Sequence, residues 1–167
     1  MLSEFDQIAE AVSNHTARCA KKLRVQDSCC KVLSVFIHTN AFRSDLKQYH
    51  NTRSIILPVA SNSSLELIKF ALQALRSIYK KGYQYKKAGV IVTDIMPSTQ
   101  CQGNLFYDHD NIKHTRIMQA MDKINNLYGS DKLRLGSQGF GRSWKLKNES
   151  LSPCYTTRLN DLITINV

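Results

Sequence analysis

The sequence predicts an α+β fold with helices on one face of an antiparallel or mixed sheet. Two kinds of segment lead to this expectation. Some segments repeat apolar residues at spacings of three and four, as amphipathic helices do, and others are rich in β-branched and aromatic residues, as strands are. Their order is helix, strand, strand, helix, strand. This order is a split βαβ arrangement that lacks its first strand, followed by a short helical C-terminal extension.

The first helix is expected to begin at Ser3, because serine is a preferred N-cap residue. Its apolar positions run from Phe5 to Leu23 at helical spacing. Four cations cluster near its C-terminal end, namely Arg18, Lys21, Lys22 and Arg24. Since the helix dipole favours cations at that end, part of this cluster needs no ligand to explain it.

The segments from Cys29 to Thr39 and from Ser54 to Ala60 are predicted to form two antiparallel strands. Pro58 indicates that the second strand is an edge strand or bends there, because proline has no N–H to donate to a neighbouring strand. A third strand is expected between Tyr83 and Ile95, where aromatic and basic residues lead into small and β-branched ones.

The second helix is predicted from a capping box formed by Ser63 and Glu66, and Gly82 is expected to stop it. Its predicted buried stripe consists of Leu65, Ile68, Leu72, Leu75 and Tyr79. A linker at Pro97 to Gln100 is expected to close this domain. Beyond it, the spacing predicts a third amphipathic helix near Asn111 to Tyr128 that ends at Gly129.

Charge is the strongest compositional feature of the 167-residue chain, which has a formal net charge of +10 and an isoelectric point near 9.5. The first 87 residues hold fourteen Lys or Arg and six Asp or Glu, a net charge of +8, whereas the remainder carries +2. A strongly basic balance is typical of proteins with a polyanionic partner, so nucleic acid is the expected partner of the first half.

Several classes of protein are not indicated. The five cysteines contain no CxxC pair, so we expect neither a disulfide framework nor a zinc site, and we expect a reducing, cytoplasmic compartment. The apolar stretches are too short for a membrane helix, and no export leader is expected. The five histidines lack metal-ligand spacing and are assigned no chemistry. The segment GSQGFG is interpreted as a flexible turn rather than a phosphate-binding loop.

The pentapeptide QGNLF at Gln102 to Phe106 follows the linker directly. A flexible peptide with adjacent Leu and Phe and an earlier Gln suits a groove that accepts two apolar anchors and one amide hydrogen bond. The alternative is that Leu105 and Phe106 pack on the third helix.

The surrounding strings give this pentapeptide a context. KKAGVIVTDIMP, then QGNLF followed by MQAMDKIN, then LSPCYTTRLNDL resemble, in that order, the C-terminal third of the UmuC family of Y-family translesion DNA polymerases. The resemblance covers nearly the whole chain. It implies a little-finger DNA-binding domain at residues 1–98, a linker with a clamp-binding peptide at 99–109, and a UmuC-type C-terminal domain at 110–167.

The resemblance also implies partners. These are duplex or primer–template DNA, the β sliding clamp and a UmuD-type subunit, in SOS repair and mutagenesis. The clamp-binding residues would be Gln102, Asn104, Leu105 and Phe106, with Gly103 in place of the family's usual leucine.

A little finger grips the DNA backbone without reading sequence, so the DNA-binding candidates are basic residues of strands and loops. They are Lys31, Arg53, Lys86 and Lys87, followed by Arg24 and Arg43. Because successive strand residues face opposite ways, we expect at most one of Lys86 and Lys87 to lie on the DNA face.

Polymerases of this family hold two magnesium ions with carboxylates of an N-terminal palm domain. That region is not expected in this sequence, so we expect no cofactor and no enzymatic activity in the chain itself. The alternative is a non-catalytic interaction protein, such as a truncated paralogue that competes for the clamp or for polymerase partners. A decayed gene fragment that does not fold is the third interpretation.

The lacking first strand has a structural consequence. In a split βαβ domain this strand usually lies in the middle of the sheet, between the third and fourth strands, and here it would precede Ser3. Without it, the last strand must leave a gap, pair directly with a neighbouring strand, or recruit the C-terminal tail. Each option leaves open strand edges, so we expect the isolated chain to be marginally stable or prone to self-association.

Overall fold

The computed structural model describes residues 1–104, 111–141, 144, 152–155 and 157–158, and in the third helix it describes side chains from residue 113 onward. The predicted order of elements is confirmed. Two short 3-10 turns, Ser98–Gln100 and Gly136–Gln138, accompany the regular elements. The regular elements are α1 (Phe5–Val25), β1 (Ser28–Thr39), β2 (His50–Ser61), α2 (Ser64–Ile78), β3 (Tyr85–Pro97) and α3 (Asn111–Tyr128).

The three strands form an antiparallel sheet in the order β2-β1-β3. The position of β2 at an edge confirms the expectation drawn from Pro58. The pairing of β1 with β2 is irregular between Cys30 and Val32, where the partner on β2 changes from Ser61 to Ile56. The extra residues of β2, Pro58 among them, lie in this bulge, where no ladder hydrogen bond is required of them.

Both α1 and α2 pack on one face of the sheet, which confirms the predicted α+β class. Alternate residues of β1, namely Leu33, Val35 and Ile37, are fully buried against the helices. The helices contribute a continuous apolar layer to the same core: Ile8, Val12, Ala20 and Leu23 from α1, and Leu67, Ala71, Leu75 and Ile78 from α2. Burial of this layer is the main stabilising term of the domain.

Strand β3 pairs directly with β1, so the sheet has no gap between them. Their register runs from Ser28 opposite Pro97 to Thr39 opposite Tyr85. Leu2 lies on the outer side of β3, where it exchanges backbone hydrogen bonds of 2.9 and 2.8 Å with Tyr85 in an antiparallel bridge. The chain ahead of α1 therefore meets the sheet at the outer edge of β3 and not between two strands.

The predicted caps are wrong in detail. Glu4, not Ser3, is the N-cap residue of α1. Ser63 does occupy the N-cap of α2, but its hydroxyl makes no capping hydrogen bond, so the expected capping box is not formed. Helix α2 ends at Ile78, four residues before Gly82, whose φ of 91° serves the turn into β3.

The buried face of α2 is broader than the predicted stripe. Ile68 and Leu75 are buried as expected, whereas Leu65, Leu72 and Tyr79 are half-buried. Leu67, Ala71, Ala74 and Ile78 complete the buried face. The reason is that α2 packs against the sheet and against α1 at once, so two sides of the helix are covered.

The C-terminal segment packs on α1. Asp122 of α3 pairs with Arg24, and the amide of Asn14 donates 2.6 Å to the carbonyl of Gln138 in the second 3-10 turn. Gln138 is only 5% exposed, so the expectation of a flexible turn at GSQGFG is wrong for this part of it. Within the residues that the structure describes, no helix has the length and apolar character needed to cross a bilayer.

Candidate nucleic-acid interface

The side of the sheet turned away from the helices is called the open face here. Residues paired across antiparallel strands point to the same side, so the residues of β1 that alternate with its buried positions define this face together with their partners. From β2 across β1 to β3, the rows are Ile56–Val32–Thr93, Ser54–Ser34–Ile91, Thr52–Phe36–Gly89 and His50–His38–Lys87.

The open face is exposed and rich in hydrogen-bond donors. Ile56 and Ile91 are 71% and 51% exposed, which shows that neither helix covers this side. The hydroxyls of Ser34 and Ser54 lie 2.7 Å apart, and two threonines flank them in neighbouring rows. Hydroxyl, imidazole and ammonium groups are the usual side-chain donors to phosphate oxygens.

Aromatic rings pack against one another along this face. The Phe36 ring lies over Gly89 so closely that a Cβ at Gly89 would collide with it. His38 packs its ring edgewise on Phe36 with centroids 5.3 Å apart, and the His50 ring follows at 6.1 Å from that of His38. A glycine opposite the phenylalanine thus lets the rings lie along the sheet instead of projecting from it.

Of the predicted DNA-binding residues, Lys87 is the one that belongs to the open face. It is exposed and pairs with His38, so it stands in one row with two imidazoles. Lys86 lies at the register irregularity between His38 and Thr39, and both Lys86 and Lys87 line a cavity with Ile8 of α1.

Arg53 lies on the other side of the sheet. It pairs with Val35, which is fully buried against the helices, so the Arg53 side chain projects from the helix side although it is exposed. Lys31 is half-buried, and its ammonium group donates a 2.8 Å hydrogen bond to the carbonyl of Pro58 in the β2 bulge. Arg53, Lys31 and Lys87 therefore do not lie together on one surface.

The two remaining candidates, Arg24 and Arg43, both pair with carboxylates of this chain. The Arg24 guanidinium donates to both carboxylate oxygens of Asp122 at 2.6 and 2.9 Å, and also to the carbonyl of Asn62 and the hydroxyl of Ser64. Arg43 makes a two-pronged pair with Asp45 at 2.7 and 2.6 Å in an exposed loop, and this hydrogen bonding lowers the pKa of Asp45. Their role in DNA binding stays a prediction.

The basic end of α1, defined by Arg18, Lys21, Lys22 and Arg24, faces the C-terminal segment. Arg18 lies 3.9 Å from the carboxylate of Asp131, and the Lys21 ammonium donates 2.9 Å to the side-chain oxygen of Asn126. With the Arg24 pair, three of these four cations contact residues roughly a hundred positions later. The densest basic cluster of the sequence thus serves to hold α3 and the turn after it.

The predicted clamp peptide is described only in its first half. Gln102, Gly103 and Asn104 are exposed after the first 3-10 turn. Leu105 and Phe106 lie outside the described residues, so neither clamp docking nor packing on α3 is tested for them. Among the described residues, no three His, Cys, Asp or Glu side chains lie close enough to share a metal ion.

Sequence reasoning missed the histidines and hydroxyls of the open face. The signal was present in β1, where Ser34, Phe36 and His38 alternate with the apolar residues Leu33, Val35 and Ile37. The residues of β2 and β3 that lie beside them depend on the register of the strands, which cannot be read from the sequence.

Comparison with known proteins identifies the family to which this domain belongs. The model of the impB/mucB/samB family C-terminal domain matches residues 1–105, and the chain belongs to this family. Residues 115–165 match a second model, described as a domain of unknown function, DUF4113.

Individual relatives narrow this assignment. Over 98% of the chain it is 32% identical to Protein UmuC of Salmonella typhimurium, covering 39% of that protein. It is 32% identical to Protein ImpB of the same organism over 96% of the chain, and 35% identical to Protein MucB of Escherichia coli over 89%, covering 38% and 35% of those proteins. The chain thus spans about two fifths of their length and corresponds to a UmuC-type C-terminal region, which confirms the resemblance seen in the sequence.

Proposed function

We propose that this chain is the DNA-holding and clamp-tethering part of a UmuC-type translesion DNA polymerase that acts in cytoplasmic SOS DNA repair and mutagenesis. The observation that carries the proposal is the open face. It places the row His50–His38–Lys87 and a set of hydroxyls on an exposed surface of a chain with a net charge of +10. Family membership supports the same conclusion.

Binding at this face would follow the phosphate backbone. Lys87 supplies the fixed positive charge, and Ser34, Ser54 and the two imidazoles supply hydrogen bonds to phosphate oxygens. The exposed isoleucines give the face an apolar component that contacts sugars. None of these groups forms the bidentate pairs that distinguish bases, so the domain holds DNA of any sequence.

The tether would be the peptide Gln102 to Phe106. It lies between the end of β3 and the start of α3, and its described residues are exposed. Attachment to a β sliding clamp would keep the open face near DNA, because a tether raises the effective concentration of the domain at the DNA. A UmuD-type subunit is a further partner under this proposal.

Catalysis would belong to another part of such a polymerase. The described aspartates are scattered, and Asp45 and Asp122 are each paired with an arginine. We therefore propose that the chain alone transfers no nucleotide with any primer–template and magnesium. Template-dependent extension by the purified chain, with contaminating polymerase excluded, would refute this part of the proposal.

A salt titration of duplex DNA binding tests the main proposal. We expect a dissociation constant of about micromolar or weaker, little preference among sequences, and a loss of affinity of orders of magnitude between roughly 50 and 200 mM salt. Affinity that does not change over this range would contradict backbone binding.

A parallel clamp pull-down separates this function from that of a non-catalytic competitor. The double variant Leu105→Ala, Phe106→Ala should lose clamp binding and keep DNA binding, because neither residue belongs to the rows of the open face. Clamp binding by the unmodified chain without any DNA binding would favour the competitor.

A further inference from the structure

Cys29 and Cys101 meet at the point where the linker leaves the sheet. Cys29 lies at the start of β1, opposite Met96 of β3. After β3 the chain folds back through the first 3-10 turn, held by a 2.8 Å hydrogen bond from the Ser98 N–H to the Asp27 carbonyl. This turn returns Cys101 to the beginning of β1, and both cysteines line one cavity of about 760 Å³ between β1 and α3.

The two thiols line the same cavity but differ in accessibility, and the Cys101 thiol lies 3.8 Å from the carbonyl of Pro97. Cys29 is 6% exposed, whereas Cys101 is half-buried. Burial, with the nearby Cys101 thiol as the next cause, raises the pKa of Cys29 to about 12. The neighbouring Cys30 is fully buried and directs its sulfur to the carbonyl of Ser61 at 3.6 Å. Cys29 is therefore the buried cysteine placed to react with Cys101.

We propose that Cys29 and Cys101 are a redox-active thiol pair that closes to a disulfide and thereby fixes the linker to the sheet. Cys101 directly precedes Gln102, the first residue of the predicted clamp peptide. A disulfide would pin that end of the peptide beside β1, so the peptide could not leave the domain to enter a groove on a partner. The thiol pair rests on the shared cavity and on the turn that returns Cys101 to β1, and its effect on the clamp rests on the proposed function.

The oxidant we assign is a small disulfide such as oxidised glutathione. The Cys101 thiolate attacks one sulfur of the oxidant, a new S–S bond forms, and one glutathione thiolate leaves and takes up a proton. The Cys29 thiolate then attacks the Cys101 sulfur of this mixed disulfide and expels the second glutathione. In sum, two protein thiols are oxidised to one disulfide and one glutathione disulfide is reduced to two thiols.

The order of these steps follows from exposure and acidity. Cys101 reacts first because a bulky disulfide reaches it more easily than the buried Cys29. Closure by Cys29 depends on a thiolate whose pKa is about 12, so its rate should rise about tenfold per pH unit between pH 7 and 9.

Peptide mapping of the oxidised 167-residue protein under non-reducing conditions tests the pair. Cys29 and Cys30 share the tryptic peptide Val25–Lys31, so the variant Cys30→Ala assigns the bond. We expect a cross-link between this peptide and the one containing Cys101 in the unmodified protein and in Cys30→Ala. The variant Cys101→Ser should lose it, and Cys29→Ala should accumulate a glutathione adduct on Cys101.

Three outcomes would overturn the pair: a cross-link that survives in Cys101→Ser, one that disappears in Cys30→Ala, or an unmodified protein that stops at the adduct. Circular dichroism of each variant excludes unfolding as the cause, and Cys101→Ser, at a half-buried site, remains informative if Cys29→Ala does not fold.

Clamp binding is then measured with reduced and oxidised protein. We expect oxidation to remove most of the binding and Cys101→Ser to be insensitive to the oxidant. A mapped disulfide with unchanged clamp binding would overturn the tethering effect. Absence of clamp binding in both redox states would overturn the clamp part of the proposed function and leave the mapped thiol pair standing.

Discussion

The basic end of α1 and the open face of the sheet both carry cations, yet they use them differently. At the basic end, Arg24 is 14% exposed in its side chain and binds Asp122, while Arg18 and Lys21 face acceptors of the C-terminal segment. On the open face, Lys87 is exposed beside two imidazoles. A count of charges along the sequence does not separate these two uses, because it cannot show which cations, such as Arg24, already have a partner within the chain.

The largest expected effect concerns the basic end. Arg24→Ala removes two hydrogen bonds to Asp122 and leaves that carboxylate without its guanidinium partner. Loss of one member of a partly buried pair costs about 2 kcal/mol or more of unfolding free energy. For a protein of this size we expect a melting temperature lower by about 5 °C in a thermal scan.

Lys22→Ala is the matched control for this variant. Lys22 is on the same helix and exposed, so its loss removes the same charge with a change in stability within about 0.5 kcal/mol. DNA affinity should be similar in both variants. An Arg24→Ala protein with an unchanged melting temperature and much weaker DNA binding would reverse the distinction drawn between the two regions.

A second prediction concerns the outer edge of β3. A strand of about seven β-prone residues added ahead of Met1 should extend the Leu2–Tyr85 bridge into a ladder along β3 and raise the melting temperature by several degrees. It should also reduce self-association, because a paired edge no longer templates other chains. Thermal melts with sizing chromatography measure both effects.

A Gly-Ser extension of equal length is the control for that strand, since it lengthens the chain without β propensity. If the original chain is already a sharply melting monomer and gains nothing from the added strand, then the edge of β3 is protected by another route, and the expected marginal stability is wrong.

A third prediction tests the docking of the C-terminal segment on α1. Gly139 has a φ of 57°, and a Cβ there would collide with the carboxylate of Glu10, which accepts a 2.9 Å hydrogen bond from the Trp144 indole. Gly139→Ala should therefore loosen this contact at a cost of about 1 kcal/mol. The emission of Trp144, the only tryptophan, should shift to the red.

Gly141→Ala serves as the comparison for this change, because no described atom lies within 4 Å of the position of its Cβ. Equal emission spectra for the two variants would show that Trp144 does not report contact with α1.

The elements that follow from local pattern were predictable, and those that depend on distant partners were not. The period of α3 gave its bounds at Asn111 and Tyr128 because helical spacing is a local property. The direct pairing of β3 with β1 could not be read in the same way, since register depends on residues far apart in sequence.

In the candidate site, too, local patterns were predictable and contacts between distant residues were not. Lys87 was identified from its strand, and alternation in β1 would have added His38 and Ser34 to it. The engagement of Arg24 could not be foreseen, because its partner Asp122 lies 98 positions later. The side of the sheet on which Arg53 lies could not be predicted for a related reason, because only its pairing with Val35 shows that it projects from the helix side.

The smallest expected effect concerns the open face itself. Lys87→Gln keeps a flexible polar side chain but removes the only lysine of the four rows. One phosphate contact contributes about one unit to the slope of log K against log salt, so the slope should fall by about one for every DNA sequence alike. Lys22→Gln, which removes an equal charge from the exposed surface of α1, should leave the slope unchanged because that surface does not face DNA under the proposal. Fluorescence anisotropy over a salt series measures both slopes. Equal decreases would mean that DNA responds only to net charge, and the open face would then have no special part in binding.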